Sequence, residues 1–253
     1  MQKQWTAADM PDLSAKNVVV TGANSGVGFE AARVFANKGA HVVFACRNRE
    51  KAEKAVAAVL EQNPEASVEI IILDLADLAS VHDFARQYSA RHYHLDILLN
   101  NAGLMAIPYR ETADGFEMQF GTNHLGHFAL TGLLLDRLLA AERARVVTVS
   151  SGLHRSGKVD FDDLQGAQKY KKQAAYSQSK LANLLFAYEL QRKLSSAGQK
   201  AISVGAHPGY SATNLQYTGP DMEDSAIQRR LMMVANTLFA QSSEMGALPT
   251  LYA

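Results

Sequence analysis

The sequence predicts an α/β protein with one open parallel sheet and helices on both of its faces. Six short runs rich in β-branched residues alternate with longer segments of helical period, an alternation typical of βαβ units. Most of these runs are apolar along nearly their whole length, as expected of parallel strands covered on both faces. Right-handed crossovers then predict a doubly wound sheet with the strand order 3-2-1-4-5-6.

Each element follows from a local pattern. The predicted strands are Asn17–Thr21, Ala40–Cys46, Ser67–Leu73, Leu95–Leu99, Arg145–Val149 and Ala201–Gly205. The predicted helices are Gly26–Lys38, Arg49–Gln62, Leu78–Arg91, Asp114–Glu142 and Gln173–Ala197. The last helix shows the amphipathic period best, with one apolar stripe formed by Leu181, Leu184, Leu185, Tyr188 and Leu194.

The composition favours a single globular domain and disfavours several classes of protein. The 253 residues are 47% hydrophobic and contain no Ser/Pro-rich linker, so we expect a single domain over residues 1–253. Lys plus Arg and Asp plus Glu both number 25, a balance that disfavours nucleic-acid binding. The single cysteine, Cys46, excludes an intramolecular disulfide and a cysteine-based zinc cluster. No apolar run reaches the roughly 18 residues of a membrane span, so we expect no membrane anchor and a cytoplasmic location.

A glycine-rich loop follows the first predicted strand and precedes a helix, with the spacing G-x-x-x-G-x-G. Glycines let the backbone turn tightly and approach a pyrophosphate, and the helix N-terminus offers free N–H groups. The alternative is a glycine-rich turn without a ligand, which the strand–loop–helix context disfavours. We expect the loop to bind a dinucleotide through Gly22, Asn24, Ser25, Gly26, Val27 and Gly28.

The second strand ends in Arg47, where NAD-binding proteins place an acid that holds the ribose 2′-hydroxyl. A guanidinium there can pair with a 2′-phosphate, so NADP(H) is favoured over NAD(H); the alternative is a solvated strand-end residue. Asp74 and Leu75 follow the third strand at the same edge. The Asp74 carboxylate has two open interpretations, an acceptor for the adenine amino group and a helix N-cap.

Tyr176 and Lys180 lie four residues apart, so on a helix they share one face. A nearby ammonium lowers the pKa of a phenol, which can then exchange a proton with a substrate hydroxyl. Ser150 and Ser151 end the fifth strand at the carboxyl edge, where ligands bind in such sheets, and a serine hydroxyl there can donate to a carbonyl oxygen. The fourth strand ends in Asn-Asn-Ala-Gly at the same edge, and Asn123 lies in the next predicted helix.

Together these residues resemble the short-chain dehydrogenase/reductase family over residues 16 to about 210. The motifs are Thr21–Gly28, Asn100–Gly103, Asn123, Ser151 and Tyr176-x-x-x-Lys180. Three further stretches, Asn123–Phe128, Tyr176–Asn183 and His207–Gly209, are similar to the branch of retinol dehydrogenases, WW-domain oxidoreductases and light-dependent protochlorophyllide reductases. The resemblance implies a Rossmann-like fold and hydride transfer between NADP(H) and a small carbonyl or alcohol substrate.

The resemblance also implies roles for individual residues. Tyr176 would be the acid/base, and Lys180 would bind the nicotinamide ribose and lower the Tyr176 pKa. Ser151, which lies 25 residues before Tyr176, would orient the substrate oxygen in preference to Ser150. Asn123 would hold a water that relays protons to Lys180. The adenosine side of the cofactor would be lined by Asn101, Ala102 and Gly103, and the nicotinamide side by Pro208, Gly209 and Thr213.

The end of the chain departs from the family pattern. Residues 231–253 look helical, whereas family members continue into a seventh strand, so we expect a six-stranded sheet with the sixth strand at its edge. A tetramer through a seventh-strand edge is then not expected. We expect a monomer, or a homodimer formed through the helices Asp114–Glu142 and Gln173–Ala197.

Other functions have weaker support in the sequence. The eight histidines include His92 with His94 and His124 with His127, but none lies at a recognised metal-ligand spacing, so no metal is expected. Ser151 lacks a G-x-S-x-G elbow, which disfavours a hydrolase. A catalytically silent NADP(H) sensor or interaction protein remains the alternative to an enzyme. It has no need for a proton donor beside the nicotinamide, so the Tyr/Lys/Ser/Asn set favours an enzyme.

Overall fold

Six parallel strands form the centre of the computed structural model, which describes residues 5–209 and 240–253. The strands are β1 Asn17–Thr21, β2 His41–Cys46, β3 Val68–Ile72, β4 Ile97–Asn100, β5 Arg145–Val149 and β6 Ile202–Ala206. They pair in the order β3-β2-β1-β4-β5-β6. The predicted sheet is confirmed, and each strand begins and ends within two residues of its predicted bounds.

The helices lie on both faces of the sheet. They are α1 Gly26–Asn37, α2 Arg49–Gln62, α3 Leu78–Arg91, α4 Met118–Phe120, α5 Gly126–Leu133, α6 Leu135–Leu139, α7 Lys172–Ser196 and α8 Ser243–Tyr252. Neighbouring strand residues point to opposite faces. Accordingly Val18 and Val20 pack with α1, α2 and α8, while Val19 packs with α3, α5 and α6. Each face therefore has its own apolar core.

The long predicted helix Asp114–Glu142 was wrong in its bounds and continuity. Gly115 has a positive φ of 81°, and the Glu117 carboxylate caps α4 by accepting from the N–H groups of Gln119 and Phe120. Residues Gly121–Leu125 then form one π-helical turn, and the helix is interrupted again at Leu134 before α6. A buried carboxylate cap and a π turn are tertiary features that apolar periodicity does not reveal.

The apolar stripe predicted on α7 is only partly buried. Leu194 is buried, but Leu185 and Tyr188 are exposed. The face that packs on the protein carries Tyr176 and Lys180 together with small or polar side chains. The helix therefore turns its catalytic candidates inward.

The last helix packs on the first. Arg33 of α1 lies 3.2 Å from Glu244 of α8, and the Trp5 ring meets Tyr252 edge-on at 5.5 Å. Of the segment 231–253 that looks helical in sequence, residues 231–239 lie outside the described part. Within residues 5–209 and 240–253 the sheet ends at β6. No helix in those ranges is both long and apolar enough to span a bilayer.

Candidate active site

The carboxyl ends of the parallel strands bring the predicted site residues to one edge of the sheet. The loop 22–25 follows β1, and residues 101–103 follow β4. Ser150 and Ser151 follow β5, and residues 207–209 follow β6. Ligands bind at this edge in open parallel sheets, where the strand order reverses.

The glycine-rich loop has a backbone that only glycine fits. Gly22 and Gly26 have positive φ values of 67° and 57°. A Cβ on Gly28 would lie 2.4 Å from Asn101 Nδ2 and 2.5 Å from the Gly22 carbonyl oxygen. Ser25 precedes α1 without a side-chain capping bond. The open N-terminus of α1 and the glycine cradle together fit a pyrophosphate.

The two other loop residues differ in exposure. Val27 is buried in the core, so its side chain faces the protein and only its backbone can face a ligand. Asn24 is half-buried.

Beneath the loop, Cys46 accepts hydrogen bonds from the backbone of Ala23 and Asn24, yet burial raises the pKa of its thiol to about 11. Cys46 is thus a neutral packing residue.

Arg47 and Asp74 face each other where β2 and β3 end. The Arg47 side chain is 68% exposed, and its Nη1 lies 3.9 Å from Asp74 Oδ2. Asp74 Oδ1 accepts from the Ala76 N–H, whereas the N-cap of α3 is Asp77. The N-cap interpretation of Asp74 is therefore wrong. The carbonyl of Leu75 lies against α5, where a Cβ on Gly126 would come within 2.5 Å of it.

The Thr21 hydroxyl connects the loops after β1 and β4. It accepts from the N–H groups of Asn101 and Ala102 at 2.9 and 3.0 Å. Asn101 Nδ2 also donates to the Thr21 carbonyl at 2.8 Å. Thr21 is the first residue of the predicted loop motif Thr21–Gly28, but the motif alone indicates no role for its side chain. Its hydroxyl fixes the spacing between the glycine-rich loop and residues 101–102.

His127 connects the Thr21 hydroxyl to the π-helical turn that carries Asn123. Its Nδ1 lies 3.0 Å from the Asn123 carbonyl oxygen, which can only accept, so Nδ1 carries the proton. Nε2 then accepts from the Thr21 hydroxyl at 2.9 Å. Burial lowers the pKa of His127 to about 3, which keeps the ring neutral. His127 belongs to the Asn123–Phe128 motif, but the motif alone does not indicate its hydrogen bonds with Thr21 and with the Asn123 carbonyl.

Asn123 is fully buried in the π-helical turn. Its Oδ1 accepts from the Leu104 N–H at 2.7 Å, and its Nδ2 donates to Ser179 Oγ and to the Leu104 carbonyl at 2.9 Å each. A Cβ on Gly103 would lie 3.0 Å from Asn123 Oδ1 and 3.6 Å from Lys180 Nζ. The structure thus brings Gly103, Asn123 and Lys180 together.

Tyr176 lies beside Ser151. Tyr176 is 3% exposed, and burial raises the pKa of its phenol, while a hydrogen bond with the Ser151 side chain opposes that rise. The predicted lowering of this pKa by Lys180 is not found: loss of water raises the pKa, and Ser151 is the side chain that opposes the rise. The phenol is therefore protonated near neutral pH. Ser150 instead donates to the Lys180 carbonyl at 2.8 Å and holds α7 against β5.

Lys180 is buried, and its Nζ donates to the Val149 carbonyl at 3.1 Å. Burial lowers the pKa of this ammonium to about 8. The Nζ lies 5.8 Å from the centre of the Tyr176 ring. At neutral pH Lys180 is thus a cation buried behind the tyrosine.

The loop after β6 supplies the last candidates. Gly209 has a positive φ of 67° and donates its N–H to His207 Nδ1 at 3.1 Å, and the Pro208 carbonyl accepts from Gln241. Thr213 lies outside the described residues.

Comparisons with known proteins agree with this architecture. A family model described as short chain dehydrogenase matches residues 16–224. Retinol dehydrogenase 13 from Homo sapiens is 42% identical over 243 residues, which are 95% of this chain and 72% of that protein. Retinol dehydrogenase 12 from Mus musculus is 48% identical over 197 residues, or 78% of this chain. The chain spans 62% of that relative's length.

Solved structures show the same fold. An uncharacterized protein from Mycobacterium paratuberculosis superposes with a TM-score of 0.79 at 46% identity, covering 99% of this chain and 80% of that one. A structure described as an NAD(P)-dependent gluconate 5-dehydrogenase from Beutenbergia cavernae, with NADP bound, has a TM-score of 0.72 at 25% identity. That match covers 95% of this chain and 90% of the other. The family match and the identity to the retinol dehydrogenases place this chain in the short-chain dehydrogenase/reductase family, in its retinol dehydrogenase-like branch.

Proposed function

We propose that this protein is an NADP(H)-dependent oxidoreductase that transfers a hydride between nicotinamide and a carbonyl or alcohol substrate. The observation that carries the proposal is the buried pair of Tyr176 and Lys180 on one face of α7, with the Lys180 Nζ 5.8 Å from the centre of the Tyr176 ring and Ser151 beside the phenol. It lies at the same sheet edge as a glycine cradle that a Cβ would fill. A proton donor beside a dinucleotide cradle is what carbonyl reduction requires.

Each side chain has a separate task in this reaction. A bound nicotinamide supplies or accepts the hydride. Tyr176, kept neutral by burial, gives its proton to the developing alkoxide and takes it back in the reverse direction. Ser151 donates to the same oxygen and so orients the carbonyl. The Lys180 cation stabilises the phenolate that forms and can reach the nicotinamide ribose from its buried position.

The remaining candidates hold the cofactor. Gly22, Asn24, Ser25, Gly26, Val27 and Gly28 would hold the pyrophosphate. Asp74, Leu75, Asn101, Ala102 and Gly103 would hold the adenosine side. Pro208 and Gly209, together with Thr213 as the family resemblance implies, would hold the nicotinamide. Asn123 holds a water on the proton path to Lys180. The backbone geometry of the glycines and the open end of α1 support the first group.

The preference for NADP(H) rests on Arg47. Its guanidinium is 68% exposed and has one distant carboxylate neighbour, Asp74, so it can turn toward a 2′-phosphate. No carboxylate replaces it at the end of β2 to hold a free 2′-hydroxyl.

A small molecule with a carbonyl or alcohol group is the proposed substrate class. The names of the relatives, retinol dehydrogenases, support an alcohol and its carbonyl product as the reacting pair. The chain matches only part of those relatives, so the class and not the individual substrate is proposed.

Turnover distinguishes the enzyme from a silent sensor. Purified full-length protein is mixed with NADPH and a panel of aldehydes and ketones, and NADPH oxidation is followed by absorbance. An enzyme oxidises NADPH only when a carbonyl compound is present and transfers deuterium from labelled NADPH to the alcohol product. Tight NADPH binding with no oxidation across the panel would favour the sensor.

A homodimer through α5 and α7 is the proposed assembly. Phe128 of α5 is 57% exposed, and Leu185 and Tyr188 of α7 are 50% and 66% exposed. Phe186 meets Phe128 edge-on at 5.5 Å and makes the patch continuous between the two helices. Apolar surface shared by two adjacent helices is typical of a symmetric interface.

A further inference from the structure

Three side chains that are far apart in sequence lie close together near the amino ends of the strands, whereas the catalytic candidates lie at the carboxyl ends. His41 begins β2, Glu69 lies in β3, and His92 follows α3. Their ligand atoms all lie within 4.8 Å of one another. Since the active-site loops follow the other ends of the strands, this cluster lies about 16 Å of strand away from them.

His41 directs an unused nitrogen into this cluster. Its Nε2 is buried and makes no hydrogen bond among the described residues. The nearest carboxylate oxygen, Glu69 Oε2, is 3.5 Å away. Buried polar atoms are nearly always satisfied, so an unsatisfied one facing a carboxylate needs a physical reason.

The surrounding contacts orient two of the three groups, His41 and Glu69, as metal ligands. His41 Nδ1 lies 2.7 Å from Ser67 Oγ, a bond that fixes the ring and leaves Nε2 available. Arg91 holds the other carboxylate oxygen, Glu69 Oε1, so that Oε2 points into the cluster. Outer hydrogen bonds of this kind, on a histidine and on a carboxylate, are what orient ligands in metal sites.

The distances suit a tetrahedral cation. Ligand atoms bonded to zinc at about 2.0–2.1 Å lie about 3.3–3.4 Å apart. His41 Nε2 and Glu69 Oε2 are 3.5 Å apart, and His92 Nε2 and Glu69 Oε2 are 2.9 Å apart. The ligand nitrogens of the two histidines lie within 4.8 Å of each other. A widening of about 0.4 Å at the second pair and a side-chain movement of at most about 1.5 Å between the two imidazoles complete three corners of the tetrahedron, and water supplies the fourth.

We propose that His41, Glu69 and His92 form a zinc(II) site that fastens the edge strand β3 to the start of β2 and the end of α3. Two imidazoles and one carboxylate favour zinc over magnesium or calcium, which prefer oxygen ligands alone. The Arg91 guanidinium repels the cation, so the site binds zinc less tightly than a four-ligand structural site. Its role is structural, because the hydride-transfer site lies at the opposite edge.

Equilibrium dialysis of untagged, full-length protein against ZnCl₂ tests the proposal. We expect one zinc per chain. His41→Gln and His92→Gln should each weaken binding by more than about 100-fold, and Ser67→Ala by about 10–100-fold, the range for an outer-shell partner. His82→Gln removes an exposed histidine of α3 and serves as the matched control, with wild-type binding. Zinc should also raise the melting temperature of the wild type and the control, because it binds only the folded chain.

Two results would overturn the proposal. One is zinc binding by the His41→Gln and His92→Gln proteins with wild-type affinity, and the other is no binding by the wild type. Circular dichroism without metal checks that each variant is folded. If His41→Gln fails that check, the half-buried His92 carries the test alone. A melting shift of equal size with MgCl₂ would show a general ionic effect and would equally contradict a zinc site.

Discussion

Burial shifts the pKa values of Tyr176 and Lys180, the two titratable side chains of the proposed catalytic set. Loss of water raises the pKa of the Tyr176 phenol, which therefore stays protonated. Loss of water also lowers the pKa of the Lys180 ammonium. The sequence showed which two side chains share a helix face. The direction of the tyrosine pKa change depends on how deeply the surrounding strands bury it, which spacing does not reveal.

The Lys180 charge should make stability depend on pH. Its pKa falls from 10.5 in the unfolded chain to about 8 in the folded one, so between these values the unfolded state binds more protons. The free energy of unfolding therefore rises with pH through that window, by roughly 3 kcal/mol for this group. Below about pH 8 the buried cation destabilises the fold by that amount.

Urea unfolding of the wild type and of Lys180→Met at pH 7 and pH 10 isolates this contribution. We expect Lys180→Met to be the more stable protein at pH 7 and to lose most of that advantage at pH 10. A stability difference independent of pH would show that Lys180 is not a buried cation.

Arg47 should discriminate between the two nicotinamide cofactors. Arg47→Ala should weaken NADPH binding by about 1.5–3 kcal/mol, the range for a hydrogen bond to a charged group, and leave NADH binding nearly unchanged. Fluorescence titration of both cofactors measures the two affinities, and Arg49→Ala, an exposed arginine two residues on, is the control. Equal losses for both cofactors would remove Arg47 from 2′-phosphate recognition.

At the scale of elements, the local sequence pattern predicted the bounds of most strands and helices, because those bounds depend mainly on interactions between neighbouring residues. Residue runs such as Val18–Val20 and caps such as Asn48 belong to elements whose bounds the sequence predicted within two residues. The interruption at Leu134 and the π-helical turn around Asn123 were missed. Glu117 and His127, which flank the π-helical turn, are held by the distant residues Tyr170 and Thr21, and such contacts leave no trace in local periodicity. The cluster of His41, Glu69 and His92 was invisible for the same reason.

His127 should stabilise the junction of β1, β4 and α5. His127→Leu leaves the buried Asn123 carbonyl without its donor and should lower the free energy of unfolding by about 1–3 kcal/mol. Urea unfolding measures this, with Thr21→Ser as the control because it keeps the hydroxyl that His127 contacts. Since the His127 pKa is about 3, the loss should be the same at pH 5 and pH 8. A loss that appears only at pH 5 would mean that the ring is charged.

At the scale of the whole molecule, β6, the last strand of the sheet within the described residues, and the exposed helices bear on how a second copy could associate. On β6, the Ser203 N–H donates to Gln191 of α7 at 2.7 Å, a side-chain contact that blunts this edge for strand pairing. The exposed apolar patch instead lies on α5 and α7. Association through helices is therefore favoured over association through the sheet.

A charge in that patch should separate the dimer. Wild-type protein should scatter light as twice its chain mass of 27.5 kDa, and Tyr188→Asp should scatter as a single chain, because a buried unpaired carboxylate is costly. Tyr93→Asp changes an equally large tyrosine, 77% exposed, and should stay dimeric. A Tyr188→Asp protein that remains a dimer would place the interface elsewhere.

The most direct test of the proposed chemistry is single-turnover hydride transfer by Tyr176→Phe. The variant keeps the ring and removes the hydroxyl that donates the proton, so transfer from NADPH to a carbonyl substrate should fall by about 10²–10⁴ while NADPH affinity stays unchanged. Tyr88→Phe, which removes a hydroxyl bonded to the His94 carbonyl far from this edge, should transfer hydride at the wild-type rate. A Tyr176→Phe protein that retains more than about a tenth of the wild-type rate would contradict the assignment of Tyr176 as the acid.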